Sequence, residues 1–172
     1  MLIQAIWTAL ERFYERDSEL FQGKHVKEEC VNHRVALHIQ ESLLMTTCEE
    51  LNDLRQNITS GHVKVDVEYD KAVDQGKIID GKPSRPDLLI HHRGDNSDNY
   101  AYIELKKGYL SKRDIEKCKG AKKTSYNYKN VLVIDCLAKP LRKIRIIEIL
   151  DSHGGQKIHK HSSVTKSSPN TN

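Results

Sequence analysis

Two short clusters in this chain combine residue types suited to one kind of chemistry. Arg85-Pro86-Asp87 and Glu104-Leu105-Lys106 bring together two carboxylates and a lysine, with sixteen residues between Asp87 and Glu104. On a β-strand, residues two apart project from one face, so Glu104 and Lys106 share a face while Ile103 and Leu105 point into the core behind them. Asp87 opens the apolar stretch Leu88-Leu89-Ile90, and the link to the Glu104 segment is short enough for the two to be adjacent strands. Carboxylate oxygens are the ligands Mg²⁺ prefers, one or two from protein and the rest from water and phosphate. A metal held there lowers the pKa of its water and stabilises charge on a scissile phosphate. A lysine beside it positions or deprotonates that water, or neutralises the developing negative charge.

The elements that must carry these residues can be read from hydrophobic periodicity. Ile3, Ile6, Trp7, Leu10 and Tyr14 predict a helix over residues 1–20. Val31, Val35, Ile39 and Leu43 predict a second, over 27–45. Residues 46–58 read as a short third helix with Thr47 as its cap and Glu50 three residues on. After Gly61 the period becomes two: Val63, Val65 and Val67 alternate with charged residues, as in a half-buried strand. Residues 75–83 read as a loop, 87–91 as a strand, and 100–106 as another that alternates Ala101, Ile103, Leu105 with Tyr102, Glu104, Lys106. Ser111 is a fair N-cap for a helix over 111–123, with Asp114 in its first turn. Residues 131–134 and 143–150 read as further strands. The expected class is therefore α/β or α+β, an antiparallel meander, a crossing helix and a strand able to pair in parallel. One domain spans 1–150, and composition marks 151–172 as a disordered basic and polar tail.

With motif and element order in place, the chain resembles the PD-(D/E)xK nuclease superfamily, the restriction-endonuclease-like fold. The resemblance rests on Pro86-Asp87 followed by Glu104-x-Lys106 and on an element order like that family's αβββαβ core, a central mixed sheet flanked by helices. The segments 28–36, 65–69, 85–94 and 103–107 also look like blocks of uncharacterised prokaryotic nuclease-like proteins, so the likeness covers roughly residues 25–135. It implies a divalent-metal-dependent endonuclease, or phosphodiesterase, hydrolysing DNA by attack of a metal-activated water. Asp87 and Glu104 would be metal ligands for Mg²⁺ or Mn²⁺ and Lys106 the catalytic lysine. Many members add a Glu from the first core helix. Glu28 fits that part better than Glu29, because it lies on the sheet-facing side.

Charge supports a nucleic-acid partner. Residues 1–105 hold 12 Lys and Arg against 19 Asp and Glu, while residues 106–172 hold 16 against 5. The bland reading of the second excess is a solvated helix face. The sharper one is a phosphate-binding surface beside the acidic site, with Lys107, Lys112, Arg113, Lys119 and Lys123 as nucleic-acid-binding residues. Tyr102, Tyr109, Tyr126 and Tyr128 interleave with it and could stack on bases. DNA is the preferred partner over RNA, and cutting both strands of a duplex needs a homodimer or two events. No apolar run reaches a membrane-spanning length and no secretory signal is seen, which points to a cytoplasmic protein. Cys30, Cys48, Cys118 and Cys136 form no paired metal spacing and read as free thiols. Two rivals have different discriminators. A catalytically silent nucleic-acid-binding module of the same fold would not bind metal, and an interaction protein would not bind nucleic acid.

Overall fold

The computed structural model describes residues 1–21, 26–69, 71–72, 75–76, 78–79, 82–123, 125–135, 137–153 and 155–161. Helix α1 covers Leu2–Arg16, α2 Glu28–Met45, α3 Asn52–Thr59 and α4 Lys112–Lys123. The strands are β1 Val63–Val67, the two-residue pairs β2 Lys71–Ala72, β3 Gln75–Gly76, β4 Ile78–Ile79 and β5 Lys82–Pro83, then β6 Leu88–His92, β7 Ala101–Leu105, β8 Asn130–Asp135, β9 Arg145–Ile149 and β10 Gln156–Lys160. Six of them make one mixed sheet in the order β1-β6-β7-β8-β9-β10. Every neighbouring pair in it is antiparallel except β7–β8, which is parallel and joined through α4. This is the α+β class expected from the pattern.

The sheet is covered on both faces, and alternation along its strands sorts residues between two cores. Leu88, Ile90, Ala101, Ile103, Leu105, Leu132 and Ile134 pack with Ile6, Leu10 and Phe13 of α1 and Val31, Val35 and Ile39 of α2. Leu89, Tyr102, Val131, Val133 and Ile147 pack with Cys118 and Ala121 of α4. Double cover explains why the central strands read as near-continuous apolar runs. It also corrects one expectation: Tyr102, read as able to stack on bases, is buried under α4.

Two further expectations change. Thr47 caps nothing: a 3-10 turn at Glu49–Leu51 leads into α3, and it is Thr46 Oγ1 that accepts the Cys48 N–H, at 3.3 Å. The tail boundary at residue 150 also moves. Residues 156–160 form β10 on the open edge of β9, and His161 reaches Glu11 Oε1 at 2.8 Å. A polar, Lys-rich segment is what an exposed edge strand tolerates, so composition alone hid it. Residues 162–172 and Cys136 lie outside the described residues; Cys30, Cys48 and Cys118 are free thiols. No helix among the described residues is long and apolar enough to cross a membrane.

Candidate active site

The register of β6 against β7 decides where the two acids stand. Leu88 pairs with Ile103 and Leu89 with Tyr102, so one step further Asp87 falls opposite Glu104. Directly opposed residues point to the same face, which here is the α4 face. Regular pairing ends at Leu88, and Asp87 continues it with its side chain: Oδ2 accepts the Leu105 N–H at 2.8 Å. Lys106 is held in extended backbone by its own N–H donating to Ile134 O at 2.8 Å.

Helix α4 closes the site from above. Ser111 and Asp114 form a reciprocal cap: Ser111 Oγ accepts the Asp114 N–H at 3.3 Å, and Asp114 Oδ2 accepts the Ser111 N–H at 2.9 Å. The cap leaves Asp114 Oδ1 to meet Lys106 Nζ at 3.1 Å. One turn on, Lys117 Nζ lies 2.6 Å from Glu104 Oε1 and 2.8 Å from Arg85 O. The Tyr102 hydroxyl donates to the same Glu104 oxygen at 2.9 Å.

These groups line a cavity of about 630 Å³ bounded by Ser84, Arg85, Asp87, Glu104, Lys106 and the α4 residues Arg113, Asp114, Glu116 and Lys117, with Ile79 at one side. Lys106 Nζ sits between the acids, 3.9 Å from Asp87 Oδ2 and 3.8 Å from Glu104 Oε2. Thus Asp87 and Glu104 each commit one oxygen to the fold. Among the described residues, Asp87 Oδ1 and Glu104 Oε2 carry no hydrogen bond.

The electrostatics follow from this geometry. Burial, reinforced by the Asp87 charge, pushes the Glu104 carboxyl up to about 7, against the opposing pull of Lys117 and Tyr102. Burial works against the Lys106 ammonium, but Asp87, Glu104 and Asp114 outweigh it and hold the group above its ordinary value. Burial likewise drives the Tyr102 hydroxyl well above its ordinary range, so it stays a donor. Four cations and four carboxylates line the cavity, with Asp87 and Glu104 at its floor and Arg85 and Arg113 exposed at its mouth.

Asp87, Glu104 and Lys106 are therefore brought together, as expected from their spacing. Glu28 is not part of the lining; its Oε1 lies 3.4 Å from the Lys107 amide, beyond the end of β7. Of the five expected phosphate-binding residues only Arg113 lines the cavity. Lys107 Nζ is turned to Val26 O at 3.5 Å and Lys119 pairs with Glu116 at 2.8 Å, while Lys112 and Lys123 are exposed on α4. Glu68, just past the end of β1, pairs with Arg85 at 3.1 Å. Lys117 and Asp114 were missed as site residues. The signal was their place on the α4 wheel, flanking the buried Cys118–Ala121 stripe.

The donor set suits a hard divalent cation: two carboxylates, each with one oxygen left for the cavity, are what Mg²⁺ takes from protein. Among the described residues no group of three or more His, Cys, Asp and Glu side chains is spaced to hold a metal. Comparison of the chain with family models, with curated proteins and with solved structures gives no match in any of the three.

Proposed function

We propose that the chain is a divalent-metal-dependent nuclease of the PD-(D/E)xK kind, hydrolysing phosphodiester bonds of DNA. The observation that carries this reading is Asp87 standing across the β6–β7 ladder from Glu104, with the Lys106 ammonium within 3.9 Å of both. The run α2-β1-β6-β7-α4-β8 supports the finer fold reading, since it follows the αβββαβ order of that family.

Asp87 Oδ1 and Glu104 Oε2 would hold Mg²⁺ or Mn²⁺. Bound there, the ion supplies a Lewis acid, a more acidic water and compensation for phosphate charge. Lys106 keeps its proton, because three carboxylates surround it; its part is to orient the attacking water and to neutralise charge on the phosphorane, not to act as a base. Asp114 fixes the Lys106 ammonium, and Tyr102 fixes Glu104. Arg85 and Arg113 at the mouth meet the flanking phosphates. Glu28 is given no metal oxygen, since its Oε1 meets the Lys107 amide and it does not line the cavity.

The test is Mg²⁺-dependent digestion of plasmid, single-stranded, branched and RNA substrates by wild type, Asp87→Ala and Lys106→Ala. The expected result is cutting by wild type and a loss of about a hundredfold or more in each variant. Cutting that persists undiminished in both refutes the assignment. One observation favours the rival, a silent nucleic-acid-binding module: Lys117 already sits on Glu104 Oε1. Salt-sensitive DNA binding with no heat of Mg²⁺ or Mn²⁺ binding would decide for it.

A further inference from the structure

Of the four tyrosines interleaved with the basic segment, three are withdrawn from solvent. Tyr102 and Tyr128 are buried in the α4-face core, and Tyr126 packs against it. Tyr109 stands apart at 83% exposure, the most exposed large hydrophobic side chain among the described residues. Exposing an aromatic ring to water costs free energy that burial would have recovered, so its position matters.

That position is the loop between β7 and α4, three residues beyond Lys106. The loop is pinned: Leu137 N–H donates to Lys106 O and Ala138 N–H to Lys107 O, each at 2.9 Å. The Tyr14 hydroxyl in turn holds Lys139 O at 2.8 Å, and Lys139 Nζ lies over the Tyr109 ring, 5.5 Å from its centroid. Lys112 and the cavity residue Arg113 follow four positions or fewer along the chain. An exposed aromatic face on an anchored loop, with Lys139 over it and Lys112 and the cavity residue Arg113 close along the chain, has the make-up of a single-strand platform. There the cations track the backbone and the ring stacks on a base. A paired base has no open face to offer from the side of a duplex.

We propose that Tyr109 stacks on an unpaired base next to the scissile phosphate, so that the site prefers single-stranded nucleic acid, or the unpaired stretch of a junction, over duplex. The inference rests on the nuclease reading of the cleft and names its substrate class. Lys139 stabilises the ring from one side by cation–π attraction and leaves the other face for the base.

The experiment measures binding by fluorescence anisotropy in EDTA, where no cutting occurs. It uses matched single-stranded DNA, single-stranded RNA and duplex DNA with wild type, Tyr109→Phe, Tyr109→Ala and Arg113→Ala. Expected is a loss of about tenfold for Tyr109→Ala on the single strand, near-wild-type binding by Tyr109→Phe, and unchanged duplex binding. The salt slope is unchanged in Tyr109→Ala and falls by about one in Arg113→Ala. A loss confined to the DNA or the RNA strand identifies which one the platform takes. Unchanged single-strand affinity in Tyr109→Ala overturns the inference, as does an equal loss on duplex. Neither result touches the nuclease reading, which the Asp87→Ala digestion tests separately.

Discussion

Two carboxylates are buried on the same face of the sheet, and the fold treats them in opposite ways. Asp66 is 9% exposed and Glu104 1%. The Asp66 carboxylate is gripped by the Arg93 guanidinium on both oxygens, with Nε at 2.8 Å from Oδ2, and by His91 Nε2 at 3.0 Å. Burial would raise its pKa, but these partners win and hold it down at about 2. At Glu104 burial and the neighbouring Asp87 win instead, and the carboxyl rises to about 7. The first group is satisfied by its own chain. The second has one oxygen satisfied and one facing a cavity, where a cation from solution would complete it. A buried acid with both oxygens bonded by its own chain holds structure together; one that keeps an oxygen on a cleft beside a second acid, with its pKa raised despite nearby lysines, is a candidate site.

This contrast breaks most visibly in activity. Asp87→Asn and Glu104→Gln are each expected to lower Mg²⁺-dependent cutting by about a hundredfold or more, whereas Asp66→Asn leaves cutting by the folded protein intact. Gel-based digestion with the three variants side by side measures it.

In stability the signs reverse. The folded pKa of Glu104 lies above its ordinary 4.5, so its protonated form favours the fold at low pH, and that contribution is lost as pH rises through about 7. In EDTA, wild-type stability should therefore fall between about pH 4.5 and 8, by up to roughly 3 kcal/mol, and Glu104→Gln should abolish the decline. Urea unfolding at a series of pH values checks this. Asp66 behaves oppositely: its contribution is present above 3.8 and lost as pH falls through about 2. Asp66→Asn should cost about 2 kcal/mol at pH 7, because the charge-assisted bonds to Arg93 and His91 are weakened.

The smallest effect sharpens the contrast. Lys117→Met removes the cation nearest Glu104. It should push that carboxyl higher still and shift the pH-dependent loss of stability upward, with a change of about 1 kcal/mol near neutral pH. The same unfolding series would show an unshifted midpoint if Lys117 contributed nothing to Glu104.

The acids and Lys106 were legible because strand parity is local: Asp87 precedes an apolar run, and Glu104 and Lys106 alternate with Ile103 and Leu105. Helix and strand identities followed from the same periodicities, and so did the parallel pairing after the crossing helix. What escaped depends on contacts between elements. That α4 lies over β7 decides that Tyr102 is buried and that Lys117 meets Glu104, while Tyr109 on the loop before α4 stays in water. No spacing rule contains that placement. That Glu28 meets the Lys107 amide and does not line the cleft depends on where α2 begins relative to the end of β7, again a tertiary matter. Strand β10 escaped because an edge strand takes its hydrogen bonds from β9 and needs little apolar signal of its own.

The central claim is that Asp87 and Glu104 together hold a divalent cation while Asp66 holds none. It is tested most directly by calorimetric titration of Mn²⁺ into wild type, Asp87→Asn and Asp66→Asn. The account predicts saturable binding in wild type, its loss in Asp87→Asn and its retention in Asp66→Asn. Absence of binding in wild type, or binding equal in all three, would contradict it.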